Sequence, residues 1–551
     1  MTHRKPTHSL RGGLSRVRPG SLFPALTALA AFAVAGAAPG VADAACRLCA
    51  RGPLADSLTA AASGLADQSQ IGALAVSLAT GDTLLALNEE RRLIPGSNTK
   101  IFTTSAFLRR VGPDAVFTTR IDARGRVERN GARVRLDGDL ILRPAGIPDV
   151  TQILAPGSRG LLDSLAFLLH AGGLERVKGT VWVDGTLFAD EPLAPGWAVE
   201  DLAAGYGALP GPVLANGNAA TLTATGGPGR VTIELDPPET PLTLAPRVAL
   251  GGAGTMPRLD VDRAPGSRRL KVTGSIPRGT VVKKQVAVPE PDSVAGLWLI
   301  GAMRRAGIRV DGTVRLVPHA DSTDSRPMPE AARRVLASAA PADTGWGAVR
   351  KDRTATVLSF RSPPAAVMVG VVHALSLNAE AEGLLRLLDP APREKSRVAG
   401  LVEVRRAAAE AGIDTLDLSL VDGSGLSTQD LATARSLVGW LSVHARDPAL
   451  GEPFRAGLAV PGGNGTLKHR FAGLDPRADL HAKTGTLTNV SSLSGYVTDA
   501  TGGRIVFAVI TNGNRASATA AKQMEERLVA MLARWGGGSG TTIPVPPRIP
   551  R

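Results

Sequence analysis

Aromatic residues make up only 3% of this 551-residue chain, and just two cysteines occur in it. So few aromatics argue against a surface that stacks sugars or nucleic-acid bases. The two thiols, Cys46 and Cys49, form a single C-x-x-C near the N-terminus with no second ligand pair and no strand–helix context. That isolation favours a small local disulfide, or no role at all, over redox chemistry or a zinc site. No cluster of His, Cys and acidic residues has metal-ligand spacing, so neither metal nor cofactor is expected. Beyond the first forty-odd residues no run approaches about 20 apolar residues, which excludes a later membrane-spanning helix. Negative charge is also in short supply. Lys and Arg number 63 against 49 Asp and Glu, for a formal charge of +14.

What is present begins with an address label. Arg4, Lys5, Arg11, Arg16 and Arg18 precede the first acid, Asp43. An apolar stretch over 22–38 and the small-x-small sequence Ala42-Asp43-Ala44 follow, as in a cleaved export signal spanning 1–44. Pro24, Gly36 and Pro39 interrupt the run, which disfavours a retained anchor. Asp43 stands where a lipid-anchoring signal at Cys46 would carry an apolar residue. Loss of the leader removes five bases and one acid, so the exported chain stays strongly basic and suited to an anionic partner. An anionic cell wall fits that compartment better than nucleic acid, for which no recognition helix or zinc finger is visible.

The chain is long enough for two or three domains. From Ile71, apolar residues flank a Thr80-Gly81-Asp82 turn and predict a β-hairpin. Pro95-Gly96 then breaks the chain, and a helix is predicted from Ser97 to Val111, closed by Gly112-Pro113. Many short alternating segments between 119 and 315, split by Gly and Pro, predict one or two β-rich modules, with an amphipathic helix from Asp292. Residues 318–350 read as a linker. Helices are predicted over 364–388, 402–411, 431–444 and 517–534, with a second hairpin from Ser491 turning at Gly502-Gly503. The tail 536–551 reads as flexible. No regular helix–strand rhythm argues for a doubly wound sheet. The expectation is an α+β fold: a discontinuous domain, 45–119 and 351–535, interrupted by a β-rich insertion over 120–317.

Three short patterns carry chemistry. Ser97-Asn98-Thr99-Lys100 is an S-x-x-K, Ser376-Leu377-Asn378 an S-x-N, and Lys483-Thr484-Gly485 a K-T-G. An S-x-x-K alone arises by chance about once in a chain this long. Context strengthens it. A serine opening a helix after Pro-Gly lies near the positive end of the helix dipole. Lys100, three residues on, shares its face and can reach its oxygen. Serine needs an adjacent base, and Lys100 serves only when neutral. Desolvation and a nearby cation, for which Lys483 is the candidate, would both lower its pKa. His373 and His481 flank motif residues, but no acid is placed to orient either in a Ser-His arrangement.

In this order the three patterns resemble the penicillin-binding proteins and serine β-lactamases. Further segments narrow the likeness: Asp422-Gly423-Ser424-Gly425-Leu426-Ser427, Gly465-Thr466-Leu467, Leu493-Ser494-Gly495-Tyr496-Val497, Ala381-Glu382 after the S-x-N, and Val183-Asp184, Phe188, Pro195-Gly196-Trp197, Tyr206 and Asn218 in the middle. Together they resemble the low-molecular-mass class C penicillin-binding proteins, the D-Ala-D-Ala carboxypeptidase/endopeptidase family. The resemblance implies a transpeptidase-type domain split after the nucleophile helix, with peptidoglycan stem peptides as substrates and β-lactams as covalent inhibitors. It implies Ser97 as nucleophile, Lys100 as base and Ser376 as proton relay. Asn378 would hold the substrate amide, Lys483 and Thr484 the terminal carboxylate, and the N–H groups of Ser97 and Thr486 the oxyanion. Asp422, Ser424 and Ser427 read as a tight turn beside the groove rather than a second site. A β-lactamase or esterase on the same chemistry, and a non-enzymatic wall-binding relative, are the competing readings. Oligomeric state is not legible.

Overall fold

The computed structural model describes residues 53–63, 69–155, 160–189, 191–317, 330, 344–514 and 518–536. The expected export signal, Cys46 and Cys49, most of the 318–350 linker and nearly all of the 536–551 tail lie outside them.

Both ends of the described chain meet in one antiparallel sheet. Its strand order is His481–Leu487, Val490–Thr498, Arg504–Asn512, Gln70–Ser77, Thr83–Leu87. The two predicted hairpins are joined edge to edge, with Gln70 opposite Asn512 and Ser77 opposite Ile505. Helices cover both faces, so these strands are apolar on both sides rather than alternating. Ala73, Ala75, Phe507 and Val509 face a core with Leu58, Met524 and Leu528, from helices Pro53–Ser63 and Ala518–Ala533. Leu74, Val506, Ala508 and Ile510 face the other core, with Ile101, Phe102, Leu384 and Trp440. Helices Thr99–Val111, Ala365–Leu375, Asn378–Leu387, Arg397–Glu410 and Ala434–Arg446 occupy that second side.

Among the described residues the region between holds three sheets. A seven-stranded sheet pairs Thr118–Asn130 with Arg133–Arg143 and with Ala355–Arg361, so the last strand before the helical region belongs to this sheet. Two three-stranded sheets follow. Arg133–Arg143 runs parallel to Leu174–Val177 and Val181–Val183, after a helix, Leu161–Ala171, that the sequence did not announce. These are local crossover units. Their returning strands have 4 and 3 residues, too short to register as a rhythm. Buried Arg143 donates to Asp122 at 2.9 Å and to Asp184 at 2.7 Å, and Arg393, beyond helix Asn378–Leu387, reaches Asp184 from the other part of the chain. No helix among the described residues is long and apolar enough to cross a membrane.

Candidate active site

Ser97 does not open an α-helix. It lies in a 3-10 turn, Gly96–Asn98, from which the α-helix Thr99–Val111 continues. The turn is bolted to the sheet. Asn98 Nδ2 donates to Ser492 Oγ at 2.5 Å, Ser494 Oγ donates to Asn98 Oδ1, and Ser492 Oγ donates to the Pro95 carbonyl at 2.6 Å. Two glycines permit the close approach. A Cβ on Gly485 would lie 2.5 Å from the Pro95 oxygen and 3.0 Å from Ser97 N. One on Gly425, itself at φ +76°, would lie 1.9 Å from the Gly96 oxygen. The third residue of K-T-G is thus small because the strand edge touches the nucleophile turn.

The S-x-N motif breaks the long helix predicted over 364–388. Ser376 takes a left-handed conformation, φ 60° and ψ 43°, after helix Ala365–Leu375, and Asn378 begins the next helix. Leu377 N donates to the Val372 carbonyl at 3.1 Å and so caps the first helix. That kink turns Ser376 and Asn378 toward different amines.

Lys100 Nζ, fully buried, donates to Ser97 Oγ at 2.9 Å, Asn378 Oδ1 at 2.5 Å and the Ser424 carbonyl at 2.6 Å. Lys483 Nζ, also fully buried, donates to Ser376 Oγ at 2.9 Å and the Thr484 carbonyl at 2.8 Å. Asn378 Nδ2 donates to the Tyr206 carbonyl at 2.8 Å. Thr484 is half-buried on the strand, and Thr486 is exposed near its end. The Thr486 amide lies 3.3 Å from where a Cβ on Gly96 would stand, so this N–H and that of Ser97 neighbour one another.

Burial lowers both amines, since a dry site disfavours the charged form. Lys100 is brought down to about 8, against an opposing pull from Asp422, Glu382, Glu380 and Asp430. Lys483 is pushed well below its usual value, by burial and then by the Lys100 charge. Burial is the largest cause for both amines, and two such buried charges disfavour one another.

The Asp422–Ser427 segment is the tight turn the sequence implied, and it does more than border the groove. Asp422 accepts from the backbone N–H groups of Ser424, Gly425 and Ser427 at 3.1, 2.6 and 2.8 Å. Trp197 Nε1 donates at 2.8 Å to Asp422 Oδ2, the oxygen that also accepts from Ser427 N. Glu382 accepts from Gly423 N and Ser424 N at 2.7 and 2.9 Å. This lattice aims the Ser424 carbonyl at Lys100. Sequence reasoning missed that role, as it missed Asn98. The signal was there in the small, turn-forming run D-G-S-G, but its partner Trp197 lies in the insertion.

The two histidines are engaged elsewhere. His373 Nε2 lies 2.7 Å from Thr104 Oγ1, and His481 Nδ1 lies 3.0 Å from the Arg455 carbonyl. Among the described residues no group of three or more His, Cys, Asp or Glu is arranged to hold a metal ion.

Residues 54–331 and 342–535 match the model of the D-Ala-D-Ala carboxypeptidase 3 (S13) family. A D-alanyl-D-alanine carboxypeptidase of Actinomadura sp. (strain R39) is 31% identical over 483 residues, 85% of this chain and 81% of that protein. One from Haemophilus influenzae is 24% identical over 466 residues, 82% of this chain and 86% of its own. The crystal structure of penicillin binding protein 4 from Haemophilus influenzae superposes with a TM-score of 0.68 at 22% identity, covering 87% of this chain and 99% of that one.

Proposed function

The chain belongs to the D-Ala-D-Ala carboxypeptidase 3 (S13) family, the low-molecular-mass class C penicillin-binding proteins, and from that premise we propose that it cleaves terminal D-Ala-D-Ala bonds through an acyl-enzyme on Ser97. It is a serine peptidase. The observation that carries the site assignment is the pair of hydrogen-bonded couples, Lys100 with Ser97 and Lys483 with Ser376, built from three distant motifs.

Ser97 Oγ attacks the carbonyl carbon of the penultimate D-Ala while its proton passes to neutral Lys100. The new oxyanion accepts from the N–H groups of Ser97 and Thr486. As the C–N bond breaks, the proton taken up by Lys100 passes through the Ser376 hydroxyl, held by Lys483, to the departing D-Ala nitrogen, and Lys100 is neutral again. Water then attacks the ester carbonyl, Lys100 takes its proton, and that proton goes to Ser97 Oγ as the ester C–O bond breaks. A β-lactam follows the first steps, but its leaving nitrogen stays tethered, which obstructs water.

Two neighbouring lysines, both lowered by burial, give the substrate a part in activation. A terminal carboxylate arriving beside Lys483 and Thr484 favours a protonated Lys483. That new charge then disfavours a proton on Lys100, and the base is freed when substrate is present.

The basic composition and the leader-like N-terminus support action outside the cytoplasm, on the peptidoglycan of the cell wall. The functional test is release of the C-terminal alanine, D or L, from a peptide ending in D-Ala-D-Ala, compared with the same peptide ending in D-Ala-L-Ala. The expected result is release from the first only, abolished in Ser97→Ala. Equal release by Ser97→Ala would remove the proposed nucleophile.

A further inference from the structure

His373 takes no part in the chemistry above, although it is fully buried three residues before Ser376. Its Nε2 lies 2.7 Å from Thr104 Oγ1, on the nucleophile helix one turn beyond Lys100. The Thr104 hydroxyl has one proton and places it on the Lys100 carbonyl at 2.6 Å. Toward the ring the hydroxyl therefore accepts, so Nε2 carries the hydrogen and Nδ1 the lone pair. His373 Nδ1 is buried without a partner, which a bare lone pair tolerates better than an N–H would. Both observations select one neutral tautomer.

The ring is fixed from the side as well. It meets Phe454 edge-on, with centroids 5.0 Å apart and planes at 77°. Phe454 in turn stacks on His444 at 4.0 Å and 8°, and His444 Nε2 lies 2.8 Å from Ser105 Oγ. Two successive hydroxyls of the nucleophile helix are thus each held by an imidazole, with Phe454 between.

We propose that His373 is a positioning residue: its bond to Thr104 fixes the helix ending at Ser376 against the helix carrying Lys100, and so sets the separation of the Ser97–Lys100 and Ser376–Lys483 couples. The inference rests on Lys100 acting as the base. The titratable groups facing the ring are Lys483, His444 and Lys100; after burial all three act to keep it unprotonated, against a smaller opposing pull from the Lys100 backbone. A neutral donor at this point can hold the helices together without adding a third cation beside two lysines.

The test is the acylation rate constant and its pH profile, measured with a fluorescent penicillin on the full chain. The labelled fraction is recorded separately. His373→Leu, which cannot donate, should slow acylation about 10- to 100-fold in molecules that still label, because small misplacements of reacting groups have effects of that size. The rise of acylation with pH, set by Lys100 among Asp422, Glu382, Glu380, Asp430 and Lys483, should move above its position near pH 8 as the packing loosens and water enters. His373→Gln, whose amide N–H reaches the place of Nε2, should recover most of the rate. Thr104→Val removes the partner with little change of shape and should reproduce the His373→Leu profile if that variant folds poorly. A wild-type rate constant and pH limb in both His373→Leu and Thr104→Val would overturn the proposal. So would a loss confined to the labelled fraction, or a Gln variant as slow as Leu. Failure of the underlying reading looks different, because Lys100→Ala would then acylate normally.

Discussion

Asn378 holds Lys100 with its side-chain oxygen, at 2.5 Å, in the same carboxamide whose nitrogen is tied to the Tyr206 carbonyl at 2.8 Å. The S-x-N asparagine therefore orients Lys100, the proposed base, before substrate arrives, and by count one N–H remains for a substrate carbonyl. The neutrality of that carboxamide matters. A carboxylate in its place would stabilise the ammonium form of Lys100.

Asn378→Asp should accordingly shift the rise of acylation upward by about one pH unit or more from its position near 8. The sign follows from the chemistry: neutral Lys100 is the active form, so a raised pKa costs rate at neutral pH and the loss is recovered at alkaline pH. Stopped-flow acylation between pH 6 and 10 reads this directly. A profile that is merely scaled down, with an unmoved limb, would contradict the role given to Asn378.

Carboxylate binding should bring a proton with it. Above pH 8, where Lys100 is already largely neutral, binding of an acyl-D-Ala ligand to Ser97→Ala should take up close to one proton as Lys483 becomes charged. Below that pH the net uptake should shrink, because Lys100 gives up what Lys483 gains. Calorimetry in buffers of different ionisation heat measures the number. Binding without uptake above pH 8 would show that Lys483 is already charged in the empty site.

Trp197→Phe keeps the ring but leaves Asp422 without one of its donors. A hydrogen bond to a buried charged group contributes about 1.5–3 kcal/mol, and denaturant unfolding should show a loss of that order. Acylation should also slow, since the Asp422 turn aims the Ser424 carbonyl at Lys100. Unchanged stability together with an unchanged rate would separate the insertion from the site.

Gly425→Ala tests the contact between that turn and the nucleophile. The added methyl would stand 1.9 Å from the Gly96 oxygen, at a φ that alanine adopts only with strain. Acylation should fall by at least about 100-fold, the scale of a misplaced reacting group. A near-normal rate would mean that the nucleophile turn is not held from this side.

The terminal hairpins were legible because apolar runs and Gly turns are local signals, and strands apolar on both sides require covering helices. Ser97, Lys100, Ser376, Asn378 and Lys483 were legible as motifs. The break at Ser376 was not, because no proline or glycine stands between 371 and 382 to mark it and the left-handed turn is imposed by packing. The 3-10 turn at Ser97 is likewise a product of Asn98 being bonded to Ser492 and Ser494. Trp197 and Asp422 stand 225 positions apart, and no local pattern joins them. How far burial lowers each lysine depends on how dry its site is and which acids face it, and both arise only on folding.

The most direct test of the account is intact-protein mass spectrometry after exposure to a penicillin, with peptide mapping. It predicts one penicilloyl adduct per chain, on the peptide bearing Ser97, persistent over the assay, lost in Ser97→Ala and not formed by Lys100→Ala. An unmodified mass under conditions that label a control enzyme, or an adduct that survives Ser97→Ala, would contradict it.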